Sequence, residues 1–159
     1  MIEAIQVIYE QDSLLQRIMS DDNADIPVLT ICGSYRFRAL KEKYQAFYTI
    51  KNNLVFMPVN YMSIKNEVET CKDSAERNAK RLANIHNKKI MISEGIIVVN
   101  GGPDSYEGYI GKDTLREISF AHAAGTKILF TFVPHEDRHK YYFNNDKTYP
   151  LYILKEEYL

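Results

Sequence analysis

The sequence predicts an α/β domain, a parallel sheet with helices on both faces, and three observations carry that reading. First, apolar runs such as VLTIC, LVFM, GIIVV and KILFTFV show no polar alternation, which is the mark of strands buried on both sides. Second, amphipathic segments with steps of three and four separate those runs. Third, 159 residues, 45% hydrophobic and 26% charged, suit one core of ordinary globular composition.

Taken in order, Val28 to Ser34 reads as a strand closed by a turn at Gly33. Tyr35 to Asn53 is helical, with Phe37, Leu40, Tyr44 and Phe47 on the inner face and Lys41, Glu42 and Lys43 on the other. Leu54 to Pro58 is a short strand ended by proline, and VNYMSIKN after it is irregular. A long charged helix runs from about Glu67 to Lys89, with Val68, Cys71, Ala75, Ala79, Leu82 and Ile85 as its expected inner stripe. Gly95 to Asn100 is a strand, and a glycine-rich loop from Gly101 leads to a helix at about Asp113 to Ala124. Gly125 follows as a natural C-cap, and Lys127 to Val133 is a further strand. The expectation is a single domain over 1–159 with its core at about 28–133. Met1 to Pro27 and Pro134 to Leu159 fit the alternation poorly. The latter carries five of the twelve tyrosines, which suits a subunit interface, a lid or an added edge strand.

Net charge is -1 and the pI near 6.4, so no electrostatic grip on nucleic acid or an anionic membrane is expected. Cys32 and Cys71 have neither the number nor the spacing of a disulfide framework or a zinc site. No metal and no cofactor is expected. The acidic start MIEAIQVIYE lacks a signal-peptide pattern, and no apolar run approaches the roughly 18 residues of a membrane span. A soluble cytoplasmic protein is the expectation.

In a parallel sheet, ligands bind outside the carboxyl ends of the strands. The loops at Gly33, Pro58 and Gly101 leave such ends. At Gly33-Ser34-Tyr35-Arg36, helix-start amides, a hydroxyl and a guanidinium suit a phosphate or sugar hydroxyls. The plainer alternative is a tight turn with Ser34 as cap and Arg36 solvated. Thr114-Leu-Arg-Glu117 matches a capping box. The sharper reading turns Glu117 into the crevice as an ionised nucleophile, favoured by the helix N-terminus and suited to an electron-poor sugar carbon. His86 is either a packing residue or a catalyst. Glu94 is a solvated charge before its strand or a proton donor at the crevice mouth.

These pieces together resemble the nucleoside 2-deoxyribosyltransferase-like superfamily. The resemblance runs from CGSYRF (Cys32 to Phe37) through IHNKKIMISEGIIVVNGG (Ile85 to Gly102) to GYIGKDTLREISFAHAAGTKI (Gly108 to Ile128). It covers about the middle hundred residues and implies a flavodoxin-like fold, with a five-stranded parallel sheet between helices. It also implies cleavage or exchange of the N-glycosidic bond of nucleosides or nucleoside monophosphates. Glu117 matches the family nucleophile, Gly33 to Arg36 the phosphate-holding loop, and Glu94 an acid that is commonly aspartate. His86 stands where the transferases carry an aspartate that helps protonate the leaving base. Pro103 to Glu107 lengthens the loop before Gly108. Asn100, Gly101, Gly108, Gly111 and Thr114 complete the expected substrate site, the glycines letting backbone approach a sugar or phosphate. A small-molecule nucleoside or nucleotide is the expected partner. A non-catalytic nucleotide-binding module is the alternative. The resemblance further implies a homodimer or higher homo-oligomer, with part of Tyr141 to Leu159 near the partner's crevice.

Overall fold

The computed structural model describes residues 6–7, 13–20, 25–102, 106–134 and 151–154. The elements, in chain order, are β1 (Gln6–Val7), α1 (Ser13–Ile18), β2 (Val28–Gly33), α2 (Arg38–Ile50), β3 (Leu54–Phe56), α3 (Lys65–Val68), α4 (Lys72–Ile92), β4 (Gly95–Val99), α5 (Lys112–Ala124), β5 (Lys127–Phe130) and β6 (Leu151–Ile153). The strands form one sheet in the order β1-β6-β5-β4-β2-β3, and every pairing is parallel. Setting β1 aside, the remaining five follow the flavodoxin-like order, with the chain reversing its winding at β2 and β4. The expected fold class holds, and the two-residue β1 adds a sixth strand beyond β6.

Alternation along the strands divides the core into two layers. Leu29, Ile31, Ile97, Val99 and Leu129 meet Leu14, Leu15 and Ile18 of α1 and Tyr44 and Tyr48 of α2. Cys32, Ile96, Val98, Ile128 and Phe130 face the other way, against Ile90 of α4 and Ile118 and Ala121 of α5. The core therefore reaches beyond 28–133, since α1 and β6 both belong to it. Of the tyrosine-rich tail, Leu151–Ile153 is an internal strand between β5 and β1, and Leu154 is buried in the first layer. Tyr141 to Phe143 lie outside the described residues.

Two helices sit differently from their expected faces. Lys41 is buried at 5% exposure because its ammonium donates to the Gly33 carbonyl at 3.1 Å. One hydrogen bond at the end of a long stem turns a nominally outer lysine inward. The expected helix from Glu67 is two: Val68, exposed, ends α3, and α4 begins only at Lys72. In α4 the inner stripe runs through Ser74, Asn78, Leu82, His86 and Ile90, while Ile85 is exposed. The apolar count favoured the neighbouring stripe. The real one is chosen by Ile90 against the sheet and by His86 at the end of β2.

Candidate active site

Glu117 sits in the second turn of α5 and reaches the carboxyl edge of the sheet between α4 and β2. Its Oε1 lies 3.4 Å from His86 Nε2, and the same nitrogen lies 3.5 Å from Cys32 Sγ. Three chain segments far apart in sequence thus converge on one point. The Glu117 side chain keeps 24% exposure and the His86 side chain only 11%. His86 Nδ1 is buried and has no hydrogen-bond partner among the described residues.

The capping-box alternative for Glu117 does not hold. Helix α5 starts at Lys112 with Gly111 as its N-cap, and no side chain caps it. Thr114 is then the third helical residue, too far in to be the cap, and Glu117 is the sixth. That position also lies beyond the first turn, where the helix N-terminus acts most strongly on a charge. The nearby charges are instead side chains. The ammonium of Lys41 is electrostatically coupled to Glu117, and burial lowers its pKa against the opposing pull of Glu117 and Cys32. Burial pushes the Cys32 thiol well up, and the Glu117 carboxylate adds to the rise. Cys32 is accordingly a protonated thiol in this environment and no nucleophile.

Two cavities meet at this carboxylate. One, of about 530 Å³, is lined by Gly33, Ser34, Tyr35, Arg38, Lys41, Gly111, Thr114 and Glu117 among others. The other, of about 570 Å³, lies between α4 and α5 and is lined by His86, Lys89, Arg116, Phe120 and Glu117. Pro58, Val59, Asp113 and Glu117 line both. Either is large enough for a nucleoside-sized ligand.

Other expected site residues lie elsewhere. Glu94 precedes β4 at its amino end, where it pairs with Arg17 at 2.6 Å and accepts from the Val28 amide at 3.3 Å. A strand of five residues, roughly 16 Å long, separates that edge from the crevice, so Glu94 is a structural ion pair. Arg36 lines neither cavity at Glu117. Its guanidinium stacks on Tyr106 and Tyr109, at 4.8 and 4.7 Å from the ring centres. Arg38 supplies the crevice guanidinium in its place. Ser34 fulfils its plain reading too, its hydroxyl accepting from the Arg36 amide at 3.3 Å while it lines the cavity.

Asn100 is fully buried and clamps the ends of β4 and β5. Its amide nitrogen donates to Phe132 O at 2.7 Å, and its oxygen accepts from Phe132 N at 2.9 Å and Thr131 Oγ1 at 3.0 Å. Both polar atoms of its side chain are thus engaged within the fold. Gly101 is likewise used internally, because a Cβ there would meet the Phe132 ring at 2.5 Å. The Gly108 amide closes the loop on Asn100 O at 2.7 Å. Of the glycines expected to admit a ligand, Gly33 and Gly111 line the crevice. Gly33 has φ +145 and sits so close to β4 that a Cβ would lie 2.6 Å from Val99 O.

Sequence reasoning passed over Cys32 and Lys41 as site residues. A signal was present for the first: Cys32 immediately precedes the glycine turn, hence at the carboxyl end of its strand. No protein-family model matches this chain, and no curated protein matches it significantly.

Proposed function

We propose that the protein cleaves the N-glycosidic bond of a nucleoside or nucleoside monophosphate, with Glu117 as nucleophile. The observation that carries this reading is a partly exposed carboxylate at the junction of two cavities, uncapped and facing buried His86. The Glu117 carboxylate forms a C–O bond to the anomeric carbon as the C–N bond breaks, and the base leaves with that electron pair and takes up a proton. Water then cleaves the glycosyl ester, releasing the sugar and restoring the carboxylate. His86 lines the cavity beside Glu117 and is the group that serves the departing base; Asp113 also lines it, but is solvated and paired with Arg116 at 3.4 Å. In the resting geometry His86 Nε2 is directed at Glu117, so its first role is to hold the nucleophile's rotamer. Arg38, Lys41 and Lys112 line the first cavity together with Glu42, Asp113 and Glu117, so its formal charges balance; Arg38, paired with Glu42 at 3.3 Å, is the guanidinium that a 5′-phosphate would draw from that pair.

Incubating the protein with a panel of nucleosides and monophosphates and measuring free base tests the reading. Base release is the expected result, and Glu117→Ala is expected to abolish it with the fold retained, because Glu117 caps nothing. Absence of base release from every panel member at high enzyme concentration overturns the catalytic reading. The nucleotide-binding alternative then predicts thermal stabilisation by a nucleotide without turnover.

The proposal includes a homodimer. The tail supports it less than the sequence implied, since Leu151–Ile153 is a strand of the protomer's own sheet. Support comes from exposed apolar side chains around the β3 edge and the segment leading to α4, including Ile50, Leu54, Val59, Met62 and Ile64.

A further inference from the structure

The cluster at the floor of the crevice has a second chemical capacity. Cys32 Sγ, His86 Nε2 and a Glu117 carboxylate oxygen all lie within 4.8 Å of one another. Bonds of about 2.3 Å to sulfur and about 2.0–2.2 Å to nitrogen and oxygen place tetrahedral ligand atoms roughly 3.3–3.8 Å apart. Two of the three separations, 3.5 Å for sulfur to nitrogen and 3.4 Å for nitrogen to oxygen, match that spacing, and the third, sulfur to oxygen, lies within 4.8 Å. We propose that Cys32, His86 and Glu117 form a binding site for one divalent cation of the zinc class, with the fourth coordination position open to the crevice.

Charge and donor type favour this class of ion. A thiolate, a neutral imidazole and a carboxylate are the donor set zinc takes, whereas magnesium and calcium take oxygen. Binding releases the Cys32 proton, and the thiolate, the carboxylate and the divalent ion then sum to zero charge. That neutrality matters at a site where Cys32 is fully buried and His86 is 9% exposed. With Nε2 on the metal, Nδ1 carries the ring proton; that buried atom has no partner among the described residues, so the site binds without the outer hydrogen bond that usually orients a metal-bound imidazole. Lys41 is the opposing charge nearby. Its ammonium is tied to the Gly33 carbonyl at 3.1 Å.

The two cavities give the fourth position access to water or to a ligand atom, because Glu117 lines both. The inference does not depend on glycosidic activity. Should Glu117 be the nucleophile, the same ion would occupy its carboxylate and inhibit the enzyme, making the crevice zinc-sensitive.

The experiment is a titration with cobalt(II), a spectroscopically visible stand-in for zinc, on a Cys71→Ser chain that removes the exposed second thiol. The expected result is a thiolate-to-cobalt charge-transfer band saturating at one ion per chain and discharged by added zinc. Cys32→Ala in the same background is expected to lose the band while far-UV circular dichroism stays unchanged. His86→Ala is expected to weaken cobalt binding by more than the roughly 10–100-fold that loss of an outer-shell partner costs. Zinc is expected to raise the melting temperature of Cys71→Ser and to leave that of the Cys32→Ala double variant unmoved. Absence of the band, or a band that survives in the Cys32→Ala double variant, overturns the site. Neither result bears on base release, so failure here and failure of the glycosidase reading are separable.

Discussion

At the scale of single residues, the decisive differences are between neighbours. Arg36 and Arg38 are two positions apart, yet one stacks on Tyr106 and Tyr109 and the other lines the crevice beside Glu117. A monophosphate gains charge-assisted bonds from a guanidinium that a nucleoside does not. Arg38→Ala is therefore expected to weaken monophosphate binding by roughly tenfold or more, with nucleoside binding changed less, as measured by calorimetry. Arg36→Ala is expected to lower stability through lost stacking and to leave that ratio alone. Equal losses for both ligands with Arg38→Ala would show that Arg38 shapes the crevice and does not bind the phosphate. Glu94 supports a second expectation. The Arg17 hydrogen bond, with help from the Val28 amide, holds its carboxyl below the usual range. A depressed carboxylate adds stability that is present above the unfolded value near 4.3 and lost as pH falls through the lower folded value. Glu94→Gln is thus expected to cost roughly 0.5–1 kcal/mol at pH 7, the pair being partly exposed. The difference between wild type and variant closes in acid denaturation series below pH about 4. A gap that persists at low pH would place the effect outside this ion pair.

At the scale of elements, much of the fold was legible and part of the site was not. Continuous apolar runs located β2, β4 and β5, because a strand buried on both faces leaves no polar alternation to misread; β3, an edge strand with Leu54 exposed, was located by its apolar run and the proline after it. Gly125 was legible as the cap of α5, and it adopts φ +77 there. The start of α5 was misplaced by one residue at the periodic pattern and by more at its cap. A glycine cap makes no side-chain signature, and the Thr114–Glu117 spacing imitates one. Helix α4 shows the other failure. Its alanine stripe fronts the cavity between α4 and α5, with Ala79, Leu82 and Ala83 on the wall, so small apolar residues marked a crevice rather than a core. The ends of the chain were illegible for a related reason: α1 has only six residues, too short for periodicity to register. Its packing is nonetheless complete, with Leu15 and Ile18 at 0% exposure. Leu15→Ala is expected to destabilise the protein by about 2–5 kcal/mol in urea unfolding, as for a core leucine. A loss under 1 kcal/mol would return α1 to the status of an appendage.

At the scale of the molecule, the parallel winding explains why so many sequence-distant groups meet at Glu117. Reversal of winding at β2 and β4 opens a crevice where the chain leaves both strands in opposite directions. The turn after β2 brings Ser34, Arg38 and Lys41 to one side, and α5 brings Glu117 to the other. Helix α4 closes the floor with His86. The same winding leaves β3 as an edge strand with Leu54 exposed, and nearby Ile50 is 84% exposed. An edge strand with apolar neighbours invites pairing with another chain, and two-fold homodimers are the commonest soluble assembly. No helix among the described residues is long and apolar enough to cross a membrane. Light scattering at micromolar concentration is expected to give the mass of a dimer. Replacing Ile50 and Leu54 by glutamate sets like charges against each other across any interface built on this edge, and is expected to shift the mass toward the monomer. Because both residues are exposed in the protomer, the double variant should keep its melting temperature under dilute conditions. A wild-type mass that stays monomeric on concentration would refute the dimer. A dimer untouched by the double variant would move its interface away from β3.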